Sequence, residues 1–334
     1  MFISVVILNY NGKGFLEPCV RSVLNSDYQD FEVVLVDNAS TDGSIESVEK
    51  IFSANRNLKI IRNKENSFFT GGNNIGIRES KGECIIILNN DTEVDSAWLK
   101  EIAGVMLDER IGAAQPKILI YGSNPQRIDY AGATIDKYGY AKGFGRGEVD
   151  EGQFDRVDDI FYAGGTAMVL RKKALDEVGL FDERFGMHWE DVDLAWRIRL
   201  KGYRIVLIPK SRVFHKGSMS MSKFTHSAKV AWYVRKNRIA GLIKNYGKLN
   251  LLRALPVLIL IYSAVSINEL FSGGIKMALS SFWAIIWNIK ELPYILRQRQ
   301  IVQDRGRVVG DREVVRYMQK GCIALSCLKE ALCL

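Results

Sequence analysis

Apolar positions in this chain come in unbroken blocks more often than in alternation. Residues 2–8 (FISVVIL), 31–36 (FEVVLV), 58–61 (LKII) and 84–88 (CIIIL) are rich in β-branched and aliphatic side chains. The run at 84–88 has the pattern of a strand buried on both faces, and the other three read as strands, the one at 58–61 short. Between them the apolar spacing changes to three and four. Leu16, Val20, Val23 and Leu24 mark a helix running to about residue 25, with Pro18 tolerated in its first turn. Ile45, Val48 and Phe52 mark another, entered through the small polar residues 37–42 (DNASTD) that suit a helix cap. Residues 66–76 (NSFFTGGNNIG) read as a glycine and asparagine loop opening a further helical turn. A helix over 97–107 and a strand over 112–121 follow. This succession predicts an α/β fold: a mostly parallel, doubly wound sheet flanked by helices, with right-handed crossovers and its ligand loops at one edge.

From 122 to 159 the pattern weakens into glycine, charge and tyrosine, as expected of an insertion or a mobile loop over a site. Residues 160–171 (IFYAGGTAMVLR) are strand-like apart from Gly164-Gly165, which permits either close approach by a ligand or neighbour, or a plain bulge. After a short helix at 172–178, the stretch 190–200 reads as a helix with Val192, Ala195, Trp196 and Arg199 on one side, ended at Gly202. Strands at 204–208 and 212–214 lead to His215-Lys216-Gly217.

The last third differs. Residues 228–245 carry Trp232, Tyr233, Arg235, Lys236 and Arg238, an aromatic and basic helix. Two uncharged runs follow, ALPVLILIYSAVSIN before Glu269 and MALSSFWAIIWNI before Lys290. Each is shorter than the roughly 20 residues of a spanning helix. An interfacial or re-entrant hairpin is expected, with Trp283, Trp287 and Tyr294 at headgroup level. Burial against the rest of the chain, or in a homo-oligomer, is the alternative. The arginines at 297, 299, 305, 307, 312 and 316 suit either anionic lipid or a solvated helix face. The expected organisation is a domain over 1–225 and a helical, membrane-associating region over 226–334.

Every parallel strand ends at the same edge, so Asn9, Asp37 and Asp91 are predicted to converge. The strand at 84–88 stops at Asn89-Asn90-Asp91, which puts a carboxylate at its tip. Asparagines and an aspartate suit the donors and acceptors of a base and ribose. Asp91 with His215 could hold a divalent cation, manganese or magnesium in preference to zinc. A lone carboxylate could equally be a turn residue, and a lone histidine is often structural. Glu190, Asp191 and Asp193 crowd the start of a helix, where the dipole alone welcomes acids. Asp191 could instead act as a general base for a hydroxyl, since no cysteine or serine nucleophile is evident.

Composition narrows the partners. With 334 residues, 47% hydrophobic and 25% charged, the chain is globular, and its net charge of +8 favours anionic partners. The positive charge gathers beside apolar runs and is not interleaved with aromatics on one surface, which argues against nucleic acid. Five cysteines, at 19, 84, 322, 327 and 333, show no metal or disulfide spacing, consistent with packed thiols in a reducing compartment. The apolar start has no basic residues before it, and is read as a strand, not a secretion signal.

Taken together, SVVILNYNG at 4–12, VDNASTDGS at 36–44, FFTGGNNIGI at 68–77, LNNDTE at 88–93, AGGTAMVLR at 163–171, WEDVDLAWR at 189–197 and VFHKGS at 213–218 resemble the family-two glycosyltransferases of the A-type fold. The rhamnosyltransferase and galactofuranosyltransferase branch is the most similar. The motifs cover about two thirds of the chain in the expected order. The resemblance implies a nucleotide-diphosphate sugar donor, rhamnose from its thymidine diphosphate first and a uridine diphosphate sugar second. The acceptor would be a glycan or glycolipid. It implies that Asp37 contacts the base, that Asn9, Asn11, Asn38, Gly72, Asn73, Asn89 and Asn90 bind the donor, and that Asp91 and His215 hold the metal. Gly165, Trp189 and Glu190 would meet the acceptor, and Asp191 would deprotonate it, with inversion at the anomeric carbon. Asn89 departs from the usual first aspartate of the Asp-x-Asp motif. The implied location is cytoplasmic, at the inner face of the cell membrane.

Other readings fit less well. A dinucleotide-dependent oxidoreductase would need a third glycine where Glu17 follows Gly12-Lys13-Gly14. A sugar nucleotidyltransferase would need a glycine- and arginine-rich first loop. A non-catalytic scaffold would be free to lose Asp91 or Asp191, and both are present. Processive synthesis would call for a Gln-x-x-Arg-Trp segment, which Trp196-Arg197 does not reproduce.

Overall fold

The computed structural model describes residues 1–217 and 227–323. The expected domain boundary at 225/226, Ser218, Cys327 and Cys333 lie outside those residues. The first half runs β1 (Ile3–Asn9), α1 (Leu16–Leu24), β2 (Phe31–Asp37), α2 (Ser44–Phe52), β3 (Leu58–Arg62), α3 (Phe68–Arg78), β4 (Cys84–Asn89), β5 (Thr92–Val94), α4 (Trp98–Val105) and β6 (Ile111–Ile120). It continues through β7 (Ile128–Tyr130), β8 (Ala133–Ile135), β9 (Ala141–Gly143), β10 (Ala167–Arg171), α5 (Lys172–Val178), α6 (Glu190–Leu200) and β11 (Arg204–His215). The helical end comprises α7 (Ala228–Asn245), α8 (Lys248–Phe271), α9 (Ile275–Lys290), α10 (Leu292–Gln300), a π-helical turn (Ile301–Gly306) and α11 (Asp311–Val315).

The main sheet has the order β3-β2-β1-β4-β10-β6-β11-β5, with β7 on β6. Each unbroken apolar run divides by period two between two cores. Val5, Ile7, Val33, Leu35, Ile86 and Leu88 pack with α1, α2 and α4, whereas Val6, Val34, Val36, Ile85 and Ile87 face the opposite side. That is why these strands show no alternation in the sequence.

Four expectations are corrected. The run at 160–171 is strand only from Ala167, and β10 is antiparallel to both β4 and β6. Reversing its direction puts the N-terminal end of β10, with Gly164 and Gly165 before it, at the edge where β1, β2 and β4 end. The stretch 66–76 is mostly helix: a Cβ at Gly72 would strike Leu8, and one at Gly76 would strike Val6. Those glycines let α3 lie close on β1. Within 122–159, Ile128, Ala131, Ala133 and Ile135 are packed into the core, while most of 146–159 is exposed. The short strands of 122–159 escaped notice because each has only three residues. The two strands expected at 204–214 are one, β11, irregular between Ile208 and Arg212.

The C-terminal helices do not stand apart. Ile239, Leu242, Tyr246, Leu258, Tyr262 and Ile295 share one hydrophobic cluster with Trp189 and Trp196 of the sheet-bearing part. Helix α8 is longer than the uncharged run that suggested it, because Lys248, Arg253 and Glu269 are recruited into its 24 residues. An 18-residue window of it averages a hydropathy of 1.8, long and apolar enough to cross a bilayer by length and composition. Tyr294 is partly buried and donates to Asp182 at 2.8 Å. Arg299 and Arg307 cap carbonyls at the end of α7, those of Ile243, Tyr246 and Asn245, and are therefore structural.

Candidate functional site

Asn9 ties three strand tips together. Its Nδ2 donates to Asp37 (3.3 Å), Ser40 (3.0 Å) and Ser44 (3.0 Å), and its Oδ1 accepts from Asn90 at 2.8 Å. Asn9 is fully buried, so its amide is spent on positioning Asp37 and Asn90. Asn38 is likewise committed, accepting from Asn63 and from the Ser67 backbone, both at 3.0 Å, and donating to Asn66 at 2.8 Å. Asn11 accepts from the Thr41 backbone at 2.8 Å and closes the β1 loop onto the β2 loop. Gly72 and Asn73 are buried within α3, where Asn73 donates back to the Phe69 carbonyl at 2.9 Å.

β11 delivers His215 beside Thr92, in the register Val213↔Val94, Phe214↔Glu93, His215↔Thr92. Its Nε2 then lies 3.4 Å from Asp91 Oδ2, while Nδ1 meets Asp129 Oδ2 at 2.7 Å. Burial opposes a charge on this ring, but Asp129 and Asp91 outweigh it and raise its pKa to about 9. Asp129 could not be found in the sequence, since β7 is three residues in an irregular stretch.

These groups fit a divalent cation. Among the described residues Asp91 Oδ1 is buried without a partner, and a Cβ at Gly217 would strike both Asp91 Oδ2 and His215 Nε2, so glycine keeps that space open. Asp129 fixes the imidazole as carboxylates do behind metal-bound histidines. No group of three potential protein ligands gathers among the described residues. Such a site suits an ion that completes its shell with phosphate and water.

A cavity of about 440 Å³ opens beside these tips, lined among others by Asn89, Tyr130, Tyr162, Gly165, Trp189, Glu190, Asp191, His215 and Arg238. The sequence candidates from β4, β10, α6 and β11 thus meet in one space. Asp191 accepts from the Val192 backbone at 2.8 Å and from Gly165 N–H. Burial raises its carboxyl to about 6, those N–H groups opposing. Glu190 is pushed well above the usual carboxylate range, first by burial and then by Asp191. The glycine pair makes room for neighbours: a Cβ at Gly165 would press on Phe69 at 2.9 Å and one at Gly164 on Tyr130 at 3.0 Å.

Backbone strain gathers here. The non-glycine residues with positive φ are Asn11 (53°), Ala39 (63°), Phe68 (57°), His188 (62°) and Trp189 (70°) among those described, all in loops or helix starts at this edge. Each costs on the order of 1 kcal/mol or more, and such strain persists where surrounding structure enforces it. At His188 and Trp189 the enforcement comes from α7. Asn237 donates to the carbonyls of Phe185 (3.0 Å), Met187 (3.0 Å) and His188 (2.6 Å), and Trp189 donates to Gly139 at 3.0 Å. Below the turn, Asp193 of α6 is held by Arg197 (3.0 Å), Lys244 (3.1 Å) and Asn245 (2.9 Å).

Residues 4–179 match the family described as "Glycosyl transferase family 2". The O-antigen biosynthesis protein RfbC of Myxococcus xanthus is 27% identical over 227 residues, 65% of this chain and 17% of that protein. The chain spans a quarter or less of the length of the first curated relatives it matches. S. aureus TarS 1-349 in complex with UDP-GlcNAc superposes with a TM-score of 0.58 at 18% identity, covering 95% of this chain and 89% of that one. The mannosyltransferase PcManGT of Pyrobaculum calidifontis, in complex with GDP-Man and Mn2+, gives 0.53 at 17% identity, covering 91% and 87%. These likenesses show the fold, that of the A-type nucleotide-diphospho-sugar transferases.

Proposed function

The chain belongs to glycosyl transferase family 2, and from that premise we propose that it moves a sugar from a nucleoside diphosphate to a hydroxyl of a lipid-linked or polysaccharide acceptor in cell-envelope glycan synthesis, with inversion. The observation that carries this reading is Asp191 opening into the same cavity as Asn89 and His215. The carboxylate of Asp191 takes the acceptor hydroxyl proton as the oxygen forms its bond to the anomeric carbon. The bond from that carbon to the phosphate oxygen breaks in the same displacement, and its electron pair leaves with the nucleoside diphosphate.

Asp37, with spare acceptor capacity at the β2 tip, is the candidate for the base. Asn89, whose side chain has no partner among the described residues, is the candidate for the ribose or phosphate. A divalent cation held by Asp91 and His215 would neutralise charge on the leaving diphosphate. Rhamnose from dTDP-rhamnose is the first choice of donor, on the motif resemblance. Galactofuranose or another hexose from a UDP-sugar is the second.

The chain is proposed to work at the cytoplasmic face of the membrane. Helices α8 and α9 expose Leu252, Leu260, Phe271, Phe282 and Trp283, and between α7 and α9 Trp232, Trp283 and Trp287 line a groove with Lys229, Lys276 and Lys290. Indole and ammonium groups together suit an anionic interface. A panel of nucleotide sugars, assayed for nucleoside diphosphate release with and without manganese, tests the reading. Acceptor-dependent release that is lost on chelation supports it. No release from any donor contradicts it.

A further inference from the structure

Resting on the transfer reading above, we propose that the acceptor carries an oxyanion, a phosphate diester or a carboxylate, close to its accepting hydroxyl, and that Arg238 recognises it. Arg238 projects from α7 into the wall of the catalytic cavity. It is 7% exposed, and its guanidinium lies 3.7 Å above the Tyr140 ring and 5.9 Å from that of Tyr262. Nη1 donates to the Tyr262 hydroxyl at 3.3 Å, whereas Nε is buried with no acceptor among the described residues.

Among the described residues no carboxylate pairs with this cation. Its neighbours in the fold are treated otherwise. Arg235, one turn earlier, reaches Glu269 at 2.6 Å, Arg197 reaches Asp193 at 3.0 Å, and Arg199 takes the carbonyls of Phe161 and Ile160. An arginine stays charged when buried, and a buried charge is costly unless paired. A guanidinium stacked on a ring keeps its edge N–H groups free for a bidentate oxyanion. The uncompensated charge at a substrate cavity is therefore read as half of an ion pair completed by substrate.

The location favours the acceptor over the donor diphosphate. The stem of Arg238 packs at Gly139, where a Cβ would lie 2.9 Å from its Cγ and 3.0 Å from the Trp189 ring. Trp189 lies two residues before Asp191, on the wall assigned to the acceptor. None of Gly139, Tyr140, Trp189 and Tyr262 belongs to the strand tip at 89–91, and Arg146 adds a second positive group to the cavity lining.

The test uses two synthetic acceptors that share one sugar and one octyl tail, joined by a phosphodiester in one and an ether in the other. The full chain is expected to prefer the phosphodiester in kcat/KM by roughly tenfold to a hundredfold. Arg238→Gln is expected to erase that preference through KM for the phosphorylated acceptor, leaving donor KM and the pH profile unmoved, and Arg238→Lys to keep part of it. An unchanged preference in Arg238→Gln overturns the assignment, as does a rise in donor KM in its place. Should the glutamine variant not fold, phenyl phosphate decides with the unaltered chain. Inhibition competitive with acceptor supports the proposal, and inhibition competitive with donor only, or none, overturns it. If no nucleotide sugar is turned over at all, the transfer reading falls separately. Broadening of the 31P line of phenyl phosphate by the unaltered chain, weakened in Arg238→Lys, then still supports the oxyanion site, and no broadening, or broadening unchanged in Arg238→Lys, overturns it.

Discussion

Asn237, in the middle of α7, donates a 2.6 Å hydrogen bond to the carbonyl of His188, three residues before the candidate base Asp191. A side chain from the C-terminal region thus holds the strained turn from which α6 starts. Asn237→Ala would leave the carbonyls of Met187 and His188 without this donor, while that of Phe185 keeps the Met187 N–H and the Lys236 ammonium. It is expected to lower stability by about 1 to 3 kcal/mol. It is also expected to reduce kcat with little change in donor KM, because the donor residues lie on other loops. Urea unfolding and steady-state kinetics measure the two effects.

The pH dependence of transfer follows from Asp191. Burial raises its carboxyl to about 6, and a base works only when deprotonated. The rate is expected to be flat above that value and to fall about tenfold per pH unit below it. A limb near pH 4, where an ordinary carboxylate titrates, would show that Asp191 is not the group observed.

Asp193 gives the opposite sign in stability. Burial pushes its carboxyl up, but Lys244 and Arg197 overcome that and hold it below the usual range. A group depressed in the folded state contributes stability above its unfolded pKa of about 3.9, lost as pH falls through the folded value. Asp193→Asn would leave Arg197 buried without a carboxylate and Lys244 with Asp182 alone, and is expected to cost about 3 to 5 kcal/mol at pH 7. Its deficit should shrink as the pH falls below about 4. Urea titrations across that range measure it.

Membrane attachment is expected to depend on the outer faces of α8 and α9. Leu260→Glu with Phe282→Glu alters residues 68% and 52% exposed, so the fold should tolerate both. The pair is expected to abolish sedimentation with anionic vesicles while leaving transfer to a water-soluble acceptor intact. Recovery of the unaltered chain wholly in the soluble fraction, without detergent, would rule out the attachment.

Much of the frame was legible because burial on both faces writes itself as unbroken apolar runs, and the runs at 2–8, 31–36 and 84–88 ended in the polar residues that form the site. β10 was legible as a strand but not in direction, since no local signal distinguishes a parallel from an antiparallel neighbour. Asp129 and Arg238 were hidden for a different reason. Each serves the site from an element that carries no site motif, Asp129 from a three-residue strand and Arg238 from a helix legible only as aromatic and basic. Lys236 of the same helix is 1% exposed, donating to the Arg184 carbonyl at 2.9 Å with its ammonium over the Trp287 ring.

The most direct test compares Asp191→Asn with the unaltered chain on one donor, measuring nucleotide-sugar affinity by calorimetry and acceptor-dependent nucleoside diphosphate release by rate. The account predicts donor affinity within about twofold and a rate lower by roughly a hundredfold to ten-thousandfold. Near-normal turnover in Asp191→Asn would contradict it.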